Sequence, residues 1–162
     1  MNTYKTKFFG ELAVDEISDF EYFDLNYNDT TMYISLSEFN GDTAKTAKCM
    51  EIIDRYAEID ETARKAIAEN FADNEVIQYY FKFHFDTLDK EKTEELFGVT
   101  DFAAFSAEEA VKKLEYPDLV FTLEFGEINL SVDYRVSKEF SDEVLCVKMN
   151  EELFILDFAR EN

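Results

Sequence analysis

Asp118-Leu119-Val120-Phe121-Thr122-Leu123-Glu124-Phe125-Gly126-Glu127-Ile128-Asn129-Leu130-Ser131-Val132-Asp133-Tyr134 is the stretch whose pattern settles the fold class. Leu119, Phe121, Leu123 and Phe125 alternate with polar or small neighbours, Gly126 reverses the chain, and Ile128, Leu130, Val132 and Tyr134 alternate again. A period of two is that of a β-strand, whose successive side chains point to opposite faces. The segment therefore predicts two antiparallel strands, each with one apolar face. Downstream, Val144-Leu145-Cys146-Val147 gives a third strand and Leu153-Phe154-Ile155-Leu156 a fourth, with Asn150-Glu151 as the turn. The C-terminal third is thus a four-strand meander.

Upstream of Pro117-Asp118 the period changes. Asn40-Gly41-Asp42 breaks a strand, and Asp42 or Thr43 can cap a helix carrying Cys49, Ile52, Ile53 and Tyr56 at helical spacing. Asp60 is the expected cap of a second helix, with Ala63, Ala66, Ile67, Asn70 and Phe71 as its stripe. Asp73 is the expected start of a third, running to about Leu88. It contains Gln78 to Phe85, whose aromatics alternate like a strand but also form the helical stripe Ile77, Tyr80, Phe81, His84, Phe85. A fourth helix covers Lys90 to Phe97 and stops at Gly98. Ser106-Ala107-Glu108-Glu109 reads as a capping box opening a fifth that ends near Glu115.

Before the helices, Phe23, Leu25 and Tyr27 alternate with Asp24, Asn26 and Asn28. After an Asn28-Asp29 turn, Met32, Ile34 and Leu36 alternate in the same way, which makes a hairpin. Phe8-Phe9-Gly10-Glu11-Leu12 adds a short strand or lip. Segregated strands and helices define an α+β fold: an antiparallel sheet of about six strands, with helices from 42 to 115 on one face, in a single domain spanning 1–162.

The chain carries 37 acidic against 16 basic residues, a formal charge of -21 over 162 residues. Such a field repels phosphate backbones and anionic lipid and attracts cationic partners. The 17 Phe and nine Tyr supply a core, which separates this chain from acidic disordered segments. Met1-Asn2-Thr3-Tyr4-Lys5 has no apolar run behind it, and no stretch approaches the length of a membrane span. Cys49 and Cys146 lie far apart and outside any CxxC, so a reduced, buried pair in a cytoplasmic protein is expected.

No motif carries chemistry. His84 has no second histidine to work with, so a structural role near the core edge is expected. Asp24, Asn26 and Asn28 match three ligand positions of a calcium loop, but the required Gly and Glu are replaced by Asp29 and Ser35. Adjacent acids such as Glu94-Glu95 and Glu108-Glu109 point apart on a helix and do not form a catalytic pair. Phosphate-binding and hydrolase signatures are absent from the sequence. No cofactor and no metal site is expected.

Three segments resemble the uncharacterised bacterial family catalogued as domain of unknown function 2004. They are Phe8-Phe9-Gly10-Glu11-Leu12, Tyr80-Phe81-Lys82-Phe83-His84-Phe85, and the closing strands with Asp142-Glu143-Val144-Leu145. The resemblance implies an intracellular single-domain protein with no established activity, and it transfers no functional residues. Small acidic proteins of this general type often act as antidotes in bacterial toxin systems, an association by type rather than by residue.

The expectation is a non-catalytic protein-binding module that offers acidic surface to a basic protein, with no nucleic-acid and no membrane partner. Glu91, Glu94, Glu95, Glu108 and Glu109, on short exposed helices, are the candidate partner-binding residues. The alternatives are a structural or regulatory domain whose charge serves solubility, and an enzyme whose carboxylate site assembles only in three dimensions. Because crowded carboxylates repel within a Debye length of about 8 to 10 Å, added salt is expected to stabilise the fold. Thermal unfolding at low and moderate sodium chloride measures this. A midpoint that stays level or falls would show that the charges are already neutralised in pairs.

Overall fold

The computed structural model describes residues 2–14, 20–28, 30–37, 39 and 42–162. Strands β1 (Asn2–Thr6) and β2 (Gly10–Val14) form a separate two-stranded hairpin. Strands β3 (Phe20–Tyr27) and β4 (Thr30–Ser37) follow, then the helices α1 (Thr43–Ile53), α2 (Tyr56–Asn70), α3 (Glu75–Thr87), α4 (Lys90–Phe97) and α5 (Ala107–Lys112). A 3-10 turn at Phe102–Ala104 separates the last two. Strands β5 (Asp118–Glu124), β6 (Glu127–Tyr134), β7 (Val144–Asn150) and β8 (Ile155–Glu161) complete the chain. The six-stranded sheet has the order β3-β4-β5-β6-β7-β8, so the hairpin and the meander join edge to edge in an α+β fold.

One junction is not antiparallel. β4 and β5 pair in parallel, Ile34 opposite Leu119 and Leu36 opposite Phe121. The helical block between them is a crossover connection, which carries the chain from the end of the sheet where β4 finishes back to the end where β4 began. Asp29 of the hairpin turn and Asn40-Gly41 before α1 lie outside the described residues, as do the side chains of Phe23, Leu25, Met32, Ile34 and Leu36.

The helix ends follow capping chemistry. Asp42 Oδ1 accepts from the Lys45 amide at 3.0 Å, and Asp89 Oδ1 from that of Lys92 at 2.7 Å. Ser106 Oγ accepts from the Glu109 amide at 3.1 Å. Gly98 closes α4 at φ +76, the left-handed cap that favours glycine. Three boundaries differ from the sequence reading. α2 begins at Tyr56, one turn before Asp60, because the Asp60 carboxylate is engaged inside the fold rather than at a helix end. It accepts from Arg64 Nε and from the Tyr134 hydroxyl, each at 2.7 Å. α3 is capped by Asn74, whose Oδ1 accepts from the amides of Val76 and Ile77, rather than by Asp73. α5 stops at Lys112 rather than near Glu115, and the Arg64 guanidinium takes up the carbonyls of Val111, Leu114 and Glu115.

Two further corrections concern the meander. Leu153 sits in the β7–β8 turn with φ +66, so β8 starts at Ile155, opposite an irregularity at Lys148/Met149. Phe125 does not share the buried face of Leu119 and Phe121; it stands fully exposed in the β5–β6 turn.

Helices and sheet meet over one hydrophobic cluster that runs from Leu12 to Phe158. Phe71, Phe81, Phe85, Phe97, Phe102 and Phe105 form a chain of ring contacts within it, such as Phe85–Phe97 at 4.7 Å. Three fully buried tyrosines tie the layers, and each hydroxyl finds a partner, as burial demands. Tyr56 donates to the Pro117 carbonyl at 2.6 Å, and Tyr134 to Asp60. Tyr80 accepts from the Val136 amide at 3.0 Å and donates to the Glu143 carbonyl.

Asp118, at 0% exposure, is the most deeply buried carboxylate of the described residues. Arg135 and Lys138 each place a nitrogen 3.2 Å from it. Removing one partner of such a group costs more than the pair contributes, because the others lose their charge balance. Arg135 and Lys138 are partly exposed and can rehydrate, so Asp118→Ala is expected to cost about 2–3 kcal/mol, below the range for fully buried pairs. Glu94→Ala, on an exposed helix face, should stay within about 0.5 kcal/mol of the parent. Urea unfolding of both variants gives the comparison, and equal losses would remove Asp118 from its structural role.

Candidate functional site

α4 buries Thr93 and Phe97, so Glu91, Glu94 and Glu95 fall on its solvent face, and all three are exposed. Glu108 and Glu109, in the first turn of α5, are exposed as well. The Phe97 and Phe105 rings lie 5.2 Å apart, which sets the end of α4 beside the residues that open α5. The five glutamates are not equally free. Lys92 bridges Glu95 at 2.8 Å, and Lys112 reaches Glu108 at 3.2 Å and Glu109 at 3.6 Å. Exposed pairs of this kind contribute only about 0–1 kcal/mol each. Glu91 and Glu94 have no cationic nitrogen within 4.0 Å among the described residues.

A second region lies on the sheet face turned away from the helices. Tyr134, which reaches α2, and Arg160, which lies 4.1 Å from the Tyr79 ring of α3, mark the helix-covered face. Strand alternation then puts Val120, Ser131, Asp133, Cys146, Lys148 and Glu161 on the other. A shallow depression of about 630 Å³ opens there, with Ser131, Asp133, Lys148 and Glu161 among its walls. Asp133 and Cys146 are cross-strand neighbours and Glu161 is diagonal to them; their ligand atoms all fall within 4.8 Å of one another.

Asp133 is 8% exposed and accepts a hydrogen bond from Ser131 Oγ. Burial raises its proton affinity above the ordinary carboxylate range, against the pull of the Ser131 and Cys146 hydrogen bonds. Burial, and then the neighbouring Asp133, push the Cys146 thiol up in turn. Lys148 Nζ, 3.9 Å from Glu161, is the local cation. The set holds one carboxyl of raised proton affinity, and its two carboxylates and one sulfur are donors of the kind that hold a metal ion.

His84 is a strut. It is 2% exposed. Its Nδ1 lies 2.8 Å from the Tyr80 carbonyl, which can only accept, so Nδ1 carries the proton. Nε2 therefore accepts from the Ser141 hydroxyl at 2.7 Å. Ser141 Oγ also accepts from the Glu143 amide. Burial lowers the His84 pKa and favours this neutral form. The pair fastens the β6–β7 loop to α3. Both cysteines are unbridged and fully buried.

The sequence reading placed the five glutamates on exposed helices, where they are. It did not single out Asp133, Glu161 or Ser141, and it read Cys146 as a buried thiol and not as a site residue. The available signal was the polar register of β6: Ser131 and Asp133 hold the strand positions opposite to Leu130, Val132 and Tyr134. Among the described residues no helix is long and apolar enough to cross a membrane. No family model, no curated protein and no solved structure matches the chain.

Asp133 yields a signed expectation. A carboxyl whose folded pKa is raised binds its proton more tightly when folded, so its contribution declines as pH rises above the ordinary value of about 3.9. At neutral pH its ionised form is a net cost. Asp133→Asn is therefore expected to be at least as stable as the parent at pH 7.5, with an advantage that is lost as pH falls toward the ordinary carboxylate value of about 3.9. Urea unfolding across that range checks it, and a variant clearly weaker at pH 7.5 would contradict it.

Proposed function

We propose that the protein is a non-catalytic binding module that offers acidic surface to a basic protein, acting inside the cell as an immunity-type antidote to a basic toxin. The observation that carries this reading is the distribution of charge. The cations bonded to the buried acids and to the end of α5 are Arg64, Arg135, Lys138 and Arg160. Carboxylates such as Glu91 and Glu94 are left exposed, with no cationic nitrogen within 4.0 Å among the described residues. A toxin that grips phosphate is basic, and opposite fields accelerate its encounter with an acidic partner.

One observation favours a second reading, an enzyme with a carboxylate site. It is the buried Asp133, with its raised proton affinity, beside Cys146 and Glu161 in the depression on the open sheet face. Asp133→Asn separates the two readings, since it should leave binding of a basic protein intact and abolish any carboxylate-dependent turnover.

The test of the first reading is kinetic. A basic protein recovered with the chain at low salt should associate more slowly as salt rises, with a smaller change in dissociation. Glu91→Lys combined with Glu94→Lys should slow association further, and duplex DNA should not bind at physiological salt. A salt-insensitive association rate, or tight DNA binding, would defeat the proposal.

A further inference from the structure

The β5–β6 and β7–β8 turns lie at the same end of the sheet. β5 runs up to Glu124, β6 starts back at Glu127, and β7, paired with β6 through Asn129 and Asn150, runs up to the second turn. Lys45, Glu127, Ile128, Asn150, Glu151 and Glu152 line one shallow depression between them.

Each turn holds an aromatic ring out in water. Phe125 and Gly126 form a two-residue turn with φ +52 and +79. Turns with two positive φ values select Asn, Asp or Gly at the first position, because a side chain with a Cβ and a ring is strained there. Phe125 is nonetheless present, and it is fully exposed, so no packing within the fold offsets the strain. In the second turn, Asn150 Oδ1 accepts from the amides of Glu152 and Phe154, each at 3.0 Å. Leu153, at φ +66, is buried at 6% exposure while Phe154 is 67% exposed. The turn is thus braced so that one apolar residue enters the core and the next faces out. Glu124, Glu127 and Glu152 are exposed and Glu151 is half-buried. None of the four has a Lys or Arg nitrogen within 4.0 Å among the described residues.

We propose that this end of the sheet is the docking surface: Phe125 and Phe154 are apolar anchors inside a ring formed by Glu124, Glu127, Glu151 and Glu152, and the occupant is a basic protein with an apolar pocket bordered by Lys or Arg. The proposal rests on the acidic-module reading and gives it a location that differs from α4 and α5. Aromatic anchors surrounded by polar contacts that exclude water are the arrangement that concentrates binding energy. The glutamate ring supplies the charge complementarity. It also argues against a second copy of this chain, because a two-fold contact through this end would set four glutamates against the same four, an acidic excess that Lys45 of the neighbouring depression offsets only in part.

The experiment uses the full chain with a photo-crosslinking benzoylphenylalanine at position 125 in one sample and at position 94 in another, expressed in the native host. A basic protein crosslinked from position 125 is then purified, and its rates of binding are measured against Phe125→Asn, Phe154→Ser and Glu91→Lys/Glu94→Lys. The expected result is that each aromatic substitution weakens affinity by about tenfold to a hundredfold, mainly through faster dissociation. Phe125→Asn should also leave the melting temperature unchanged or higher, since Asn suits the turn. If the charge reversals on α4 weaken binding and the aromatic substitutions do not, the docking surface is refuted while the acidic-module reading stands. If position 125 captures a second copy, a protein without basic character, or nothing, the proposal is overturned. If neither position finds a basic partner, the reading beneath it falls as well.

Discussion

Cations are the scarce component of this molecule. Sixteen of them face 37 carboxylates, and the fold commits several to places where burial leaves no choice. Asp118 is fully enclosed at the start of β5, between Arg135 and Lys138. Arg64 neutralises Asp60 and also takes up three carbonyls at and beyond the end of α5. Arg160 reaches from β8 to Glu143 at 3.0 Å. Each of these residues joins elements distant in sequence: β5 to the β6–β7 loop, α2 to α5, and β8 to the start of β7. A buried acid without such a partner would ionise at a large desolvation penalty. The surface receives the cations that remain, and its acidity follows from that allocation as much as from composition.

The buried tyrosines are the neutral counterpart of this wiring. Tyr56, Tyr80 and Tyr134 each bury a large ring and still satisfy a hydroxyl, and in every case the partner lies in another layer or loop. Tyr80 and His84, one turn apart on α3, hold the β6–β7 loop together, one through Val136 and Glu143 and the other through Ser141. That loop also carries the cations that hold Asp118. Its conformation is therefore fixed by bonds to two layers at once.

The strands were legible because a half-buried strand writes its faces into alternate residues, and Leu119 to Tyr134 do so almost without interruption. The helices were legible from their caps, above all Asp42, Gly98 and Ser106. What failed had a physical cause. Asp60 has the chemistry of a cap, but a carboxylate that can reach Arg64 and Tyr134 is better used inside the fold. Leu153 and Phe125 fit a strand period, yet backbone torsions at the turns send one inward and the other outward. The parallel β4–β5 junction leaves no local signature, since it follows from how a long crossover closes. The exposed glutamates of α4 and α5 were legible one by one. The Asp133–Cys146–Glu161 cluster was not, because its members come from three strands and meet only through cross-strand register.

The parallel junction also bears on how the chain reaches its structure. Hairpins β3–β4, β5–β6 and β7–β8 each close over a short loop, and the entropy of closing a short loop is small. Ile34 and Leu119, by contrast, are separated by the whole helical block. They can pair stably only once that block has collapsed and shortened the distance between them. Contacts of this kind raise the contact order and slow folding. Docking of the β3–β4 hairpin on β5 is therefore the strand pairing with the largest loop-closure cost in the sheet. β4 thereby covers the outer edge of β5, which without that pairing would be an unpaired strand edge of the kind on which one chain can add to another.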